Sequence, residues 1–506
     1  MKNKTLILIL ILIFSLACSL VEGTQEPTAT TAPVTENSAA PSAQSQPAVQ
    51  PAVQEEIYYL FAPKDSTSTY LIDANGIAYH AWESQYHPGD SVYLLDNGHL
   101  LRTGQVEEGV DIGGAGGVVE EIAPDGTVIW SYRYANENGQ LHHDIELLPN
   151  GNILMIAWER KSQAESISAG RDPALINQGV VWSDSLLEID SKTNEIVWEW
   201  HVWDHLIQDF DETKENYGAV AEYPKRIDLN YPPRLSKGDW IHLNSVDYNA
   251  ELDQILLSSH SFSEVWIIDH GTTTAEAKGA KGDLLYRWGN PQAYGAGTGK
   301  DQQFFSQHDA QWIGLPGERH ILVFNNGDKE KRPYSTIDEI IPSLNADGSY
   351  TLLPSGVYAP ESPVWNFTAN PPKSFYADHI SGVERLASGN TLICDGIAGI
   401  FFEVTPAGEE VWRYVYGGQT FRVTQVTSEM PGVKALNLQA GEIIKSQGKK
   451  PQQGDASNNP NPREKAVEAC AGLSVGTACT LNPPNKEPIH GVCQSKQNQF
   501  LCVPNK

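Results

Sequence analysis

From about residue 57 to residue 444 the chain repeats one pattern of apolar and polar positions. Short apolar runs of strand length flank an Asn-Gly or Ser-Gly pair in Val92–Leu101 (VYLLDNGHLL), Ile145–Leu154 (IELLPNGNIL) and Val383–Leu392 (VERLASGNTL). Such pairs between alternating runs are the strongest short-range signal for a β-hairpin. A second hairpin pattern follows and ends on tryptophan: Val118–Trp130 (VVEEIAPDGTVIW), Leu186–Trp198 (LLEIDSKTNEIVW) and Phe401–Trp412 (FFEVTPAGEEVW). Leu284–Trp288 and Pro363–Trp365 end two further copies. Helical periodicity is nearly absent.

The repeats fall at about 91–133, 142–203, 242–288, 307–367 and 379–416, and 57–83 reads as the outer half of another. A half-unit at one end completed by chain from the other, here 417–444, closes a ring. The expected fold class is therefore all-β, a six-bladed β-propeller over 57–444, with only short protected edges. An open solenoid has no use for a split terminal unit. The repeating Trp130, Trp198, Trp288, Trp365 and Trp412 are expected to pack between blades.

The flanks differ in composition. Residues 1–18 carry Lys2 and Lys4, an apolar run Leu6–Leu16 and then Ala17-Cys18, which reads as a lipoprotein-type signal with Cys18 as the lipidated residue. Residues 19–56 are rich in Pro, Thr, Ala and Ser and read as a disordered tether. Residues 445–466 read as a polar linker, and 467–506 as a small module with Cys470, Cys479, Cys493 and Cys502. An even number of cysteines in an exported chain implies two disulfides, with three pairings open. The absence of a CxxC pair speaks against zinc. Cys394, alone on a strand, is expected to be a buried thiol.

The formal net charge of −28 excludes nucleic acid as a partner, since phosphates need Lys and Arg. Membrane contact is expected through the lipid anchor only. The oligomeric state is not readable.

Candidate chemistry lies at the unit starts, where inner strands meet a central channel: His142-His143-Asp144, His242-Leu243-Asn244, Gln307-His308-Asp309 and Asp378-His379. Histidines in register can bind a metal, act as bases and nucleophiles, or receive an anion. Neighbouring strand residues point to opposite faces, so Asp144, Asp309 and Asp378 are not expected to join the histidines, and no metal or other cofactor is expected.

Four strings, DWIHLNSVDYN, ILLSSHSFSEVWIID, SQHDAQW and ILVFNNGD, together resemble the bacterial arylsulfotransferases. The resemblance covers most of 57–430. It implies an exported propeller enzyme that moves a sulfuryl group from an aryl sulfate ester to a phenolic acceptor through a sulfated histidine, without a nucleotide sulfate donor. It implies catalytic roles for His242 and His308. The family's sulfated histidine is expected just before a strand that here reads Gly396–Glu403, which holds none; His379, at the start of the same unit, is the nearest. The expected roles are His379 as nucleophile, His242 as proton donor to the leaving phenolate and His308 as a ligand for sulfate oxygens. Arg332, or Lys329 or Lys331 beside it, is the expected cation on the sulfate, with Asn244, Asn326 and His143 as further substrate contacts. The alternative from a different class is a non-catalytic propeller that binds an extracellular or cell-surface ligand.

Overall fold

The computed structural model describes residues 55–232, 237–314, 317–446, 469–470, 476–481, 488–496 and 499–504. Cys18, the tether at 19–54 and most of the 445–466 linker lie outside the described residues. Among the described residues the chain is all-β, built of small antiparallel sheets with a few short helices.

The hairpin signals become the sheets they predict. Pro88–Leu94, Leu100–Gln105, Gly117–Ile122 and Val128–Arg133 pair in sequence order, as do Leu243–Asn249, Gln254–Ser259, Glu264–Asp269 and Tyr286–Trp288. The same order holds for His308–Ile313, His320–Asn325, Thr336–Ile340 and Trp365–Thr368, and for Gly382–Arg385, Thr391–Asp395, Ile400–Val404 and Glu410–Val415. The sheet from Gly139–Leu147 to Ile196–His201 carries an extra two-residue strand, Ala135–Asn136. In the remaining sheet the order is Thr420–Thr427, Ile57–Pro63, Ser68–Asp73, Ala78–Glu83, so a strand near the C-terminal end of the body pairs with the first one.

The innermost strands contact one another in a closed circuit. Pro88–Leu94 meets Gly139–Leu147, then Leu243–Asn249, His308–Ile313, Gly382–Arg385 and Thr420–Thr427, which returns to Pro88–Leu94. Outer tryptophans link most of the successive sheets along this circuit. Trp130 donates its indole N–H to Asn194, Trp198 to Thr272, Trp288 to the Pro360 carbonyl, Trp365 to the Pro406 carbonyl and Trp412 to the Ala74 carbonyl. Each bond crosses to the next sheet, so every indole buries apolar surface while its polar edge keeps a partner.

Apolar clusters fill the gaps between successive sheets. One joins Leu60, Leu71 and Trp82 to Val92, Leu100 and Ile122; another joins Phe324 and Ile337 to Ile393 and Phe402. Full burial of such side chains contributes about 1.5–3 kcal/mol each. Cys394 is a buried free thiol, and burial pushes its pKa well up. In the tail, Cys470–Cys493 and Cys479–Cys502 are the disulfides formed, beside a three-stranded sheet of Ala478–Leu481, Ile489–Lys496 and Gln499–Pro504.

Candidate active site

The inner strands do not enter the centre as regular β-structure. Asp90, His143, His242, Asp309 and Ser381, one within or just before each of five inner strands, have φ of 111°, 52°, 55°, 53° and 85°. Pairing registers slip at Leu243/Ser245 and at His308/Gln311. Such residues cost of order 1–3 kcal/mol each and gather where a site needs them. The consequence corrects the sequence expectation that neighbours point apart. A bulge re-aims consecutive side chains, and His142 and His143 both reach one cluster, their Nδ1 atoms 2.8 Å apart.

The rings form a row. His143 contacts His242 with centroids 4.6 Å apart, His242 contacts His260 at 5.0 Å, and His260 contacts His308 at 5.5 Å. His142 is locked behind them, stacked on Trp158 with Nε2 2.7 Å from Asp184. Gly114 packs against the His143 ring at φ +80°, and a Cβ there would lie 1.9 Å from His143 Cε1. Only glycine suits both the conformation and the approach.

Burial and neighbours set different protonation states in this row. Burial, with the charge of His242, holds His142 and His143 well below the usual imidazole range. Burial pushes His260 down to about 3, helped by His242 and His379. His308 is likewise lowered, first by burial and then by His260. His242 goes the other way. Burial opposes its charge, but Asp239 accepts its Nδ1–H at 2.6 Å and, with Asp184 and Asp90, more than offsets that, so its pKa is raised. Among His142, His143, His242, His260 and His308, His242 alone is shifted toward the charged form.

The tautomer of His308 follows from Asn326. The Asn326 amide donates to the carbonyls of Ala377 and Ile380, which fixes Oδ1 toward His308. His308 Nδ1–H donates to that oxygen at 2.8 Å, so Nε2 carries the lone pair. A lone pair has the wrong polarity for sulfate oxygens and the right one for taking a proton. Asn326 is therefore spent on orientation. Asn244 is also fully buried, its amide donating to the Gln307 carbonyl.

His379 sits at the rim with its side chain 53% exposed, and donates Nδ1–H to Asp378 at 2.6 Å. The loop is tied to the row, because the Ile380 carbonyl and the His308 ring share Asn326. Arg332 is held in its turn, Nη1 on Thr336 and Nη2 on the Asn325 carbonyl, with the guanidinium over Phe305 and Tyr334. Lys331, not Arg332, lines a cleft of about 270 Å³ beside the row, together with His260, Tyr231, Phe305 and Ser306.

Two elements escaped the sequence reading. His260 follows a strand, Gln254–Ser259, instead of opening one, so the repeat register did not single it out. Arg422 lies within an ordinary-looking strand sequence, TFRVTQVT, yet its Nη2 reaches Asp144 at 2.7 Å and Asp309 at 3.3 Å in the buried centre. Asp144 and Asp309 therefore face a guanidinium.

The arylsulfotransferase family model matches residues 42–435. The chain belongs to the arylsulfotransferase family. That membership makes it an aryl-sulfate sulfotransferase, with aryl sulfates and phenols as its substrate classes. No curated protein matches the chain. Among solved structures it is similar to a protein of unknown function from Bacteroides caccae, at 12% identity and TM-score 0.42, covering 73% of this chain and 99% of that one. It is also similar to apo AztD from Citrobacter koseri (10%, TM-score 0.30, 74% and 99%) and to virginiamycin B lyase from Staphylococcus aureus (9%, TM-score 0.33, 72% and 89%).

Proposed function

We propose that this sulfotransferase works by a two-step exchange through a sulfated His379, on a six-bladed propeller held outside the cytoplasm by lipid on Cys18. The observation that carries the mechanism is the row itself, in which Asp239 at 2.6 Å from His242 Nδ1 pushes that ring toward its charged form while burial pushes His260 and His308 the other way. Environments that push titratable groups apart assign the acid and the base.

In the first step the His379 Nε2 lone pair forms a bond to sulfur as the sulfur–aryl oxygen bond breaks. The leaving oxygen takes the bonding pair and a proton from His242 Nε2–H. Asp378 at His379 Nδ1 offsets the positive charge that sulfation places on the ring. In the second step a phenol gives its proton to His308 Nε2 and its oxygen attacks sulfur. The nitrogen–sulfur bond then breaks and its pair returns to His379. His260, between His242 and His308, offers a path for the proton to return. Positioning and charge placement carry most of such a transfer. The circuit of inner strands and the pairing of Thr420–Thr427 with Ile57–Pro63 support the six-bladed ring.

Incubation with an aryl sulfate and no acceptor tests the mechanism. The expected result is one SO3 added per chain, mapped by peptide mass to His379 and lost in His379→Ala. An adduct on His308 or His260 would move the nucleophile there. Aryl release without any adduct would replace the two-step route by direct transfer.

A further inference from the structure

The cleft beside the histidine row has features that the transfer steps leave unused. Its volume, about 270 Å³, is near the lower end for small-molecule sites, which begin at about 300 Å³. That is room for a single ring. Phe305 and Tyr231 are the aromatic side chains in a mostly polar lining that includes Ser261, Ser263 and Gln302, and Arg332 stacked on Phe305 holds that ring in place. His260 and Ser306 form the side toward the row, where the reacting oxygen belongs.

Lys331 stands at the mouth. Its ammonium donates to the Gln302 side-chain oxygen at 3.3 Å, a neutral partner. Asp328, in the same cleft, already uses Oδ1 to accept from the backbone N–H groups of Glu330 and Lys331. In a chain of net charge −28, Lys331 is the cation this cleft offers to a substrate, beside the Asp328 carboxylate whose charge those two N–H groups partly offset. It is a second cation, apart from the His242 imidazolium that meets the reacting group.

We propose that this cleft seats the substrate's aryl ring and that Lys331 selects phenols bearing a second, anionic substituent such as a carboxylate. The proposal rests on the transfer reading above. A ring whose oxygen faces His260 turns its far edge toward the mouth, where a carboxylate meets the ammonium. One part-exposed ion pair changes kcat/KM by about fivefold, and the effect shrinks with salt.

The test compares 4-hydroxybenzoate, phenol and tyramine as acceptors, with p-nitrophenyl sulfate as donor. The wild-type chain is expected to prefer 4-hydroxybenzoate about fivefold over phenol and to disfavour tyramine. Lys331→Gln should level the three, and Lys331→Glu should turn the order toward tyramine. A wild-type chain without preference, or a Lys331→Glu chain with the order unchanged, overturns the role of Lys331 and leaves the transfer reading intact. Transfer to none of the three overturns both.

Discussion

Asp239 is the largest influence pushing His242 toward its charged form, and the two are three positions apart on the chain entering the strand. In Asp239→Asn the main group opposing the effect of burial is gone and the His242 pKa falls. The proton donor is then lost at a lower pH, because the charged form survives only below that pKa. With a poor leaving group such as unsubstituted phenol, the alkaline limb of the kcat profile should move to lower pH. The rate at neutral pH should drop by about 10²-fold, the lower range for general acid catalysis. With p-nitrophenol as leaving group the drop should be much smaller. Equal drops for both would show that Asp239 serves the fold and not the proton. At this scale the places of His242 and His308 in the row were legible because each stands at the opening of a strand in a repeating register, whereas His379 lies in the loop before Gly382–Arg385. The roles were less legible. Asn326 fixes the His308 tautomer from eighteen positions away, and burial, which no sequence pattern reports, decides which imidazoles stay neutral.

Between elements, the tryptophan bonds do for the sheets what a ladder does within one. Trp365 donates to the Pro406 carbonyl of the next sheet, and Arg385 sits over its ring at 4.6 Å. Trp365→Phe keeps most of the apolar contact and removes the donor. The loss should be about 1 kcal/mol, read as a lower urea midpoint with catalysis unchanged. No shift in the midpoint would mean that water replaces the bond without cost. The hairpins and the tryptophan positions were legible because turn chemistry and period-2 alternation are local signals. The bulges at the strand starts were not. A bulge inserts one residue without altering the apolar pattern, so His142-His143 and His308-Asp309 read as ordinary alternating pairs until the pairing register is seen.

Across the whole molecule, Arg422 joins strands that are distant in sequence. Its guanidinium, on the Thr420–Thr427 strand, meets Asp144 and Asp309 in the buried centre, and both carboxylates also accept backbone N–H groups, from Val246 and Val383. Burial raises Asp309, pushes Asp247 up to about 7 and Glu384 up to about 8. Groups whose folded pKa lies above the unfolded carboxylate value of about 4 stabilise the fold fully below that value. They lose this contribution as pH rises through the folded pKa. Stability should therefore decline between about pH 4 and pH 8, with Arg422 limiting the decline. Arg422→Leu leaves two buried carboxylates without their counter-charge, at a cost of about 3–5 kcal/mol near neutrality. Protonation relieves part of it, so the gap from wild type should narrow on acidification. Arg422→Lys keeps the charge but cannot span two carboxylates with a fork of N–H groups, and should fall between. Urea midpoints of the three chains across that pH range decide the matter. A gap that stays constant with pH would mean that Arg422 contributes packing and not charge to the centre of the ring.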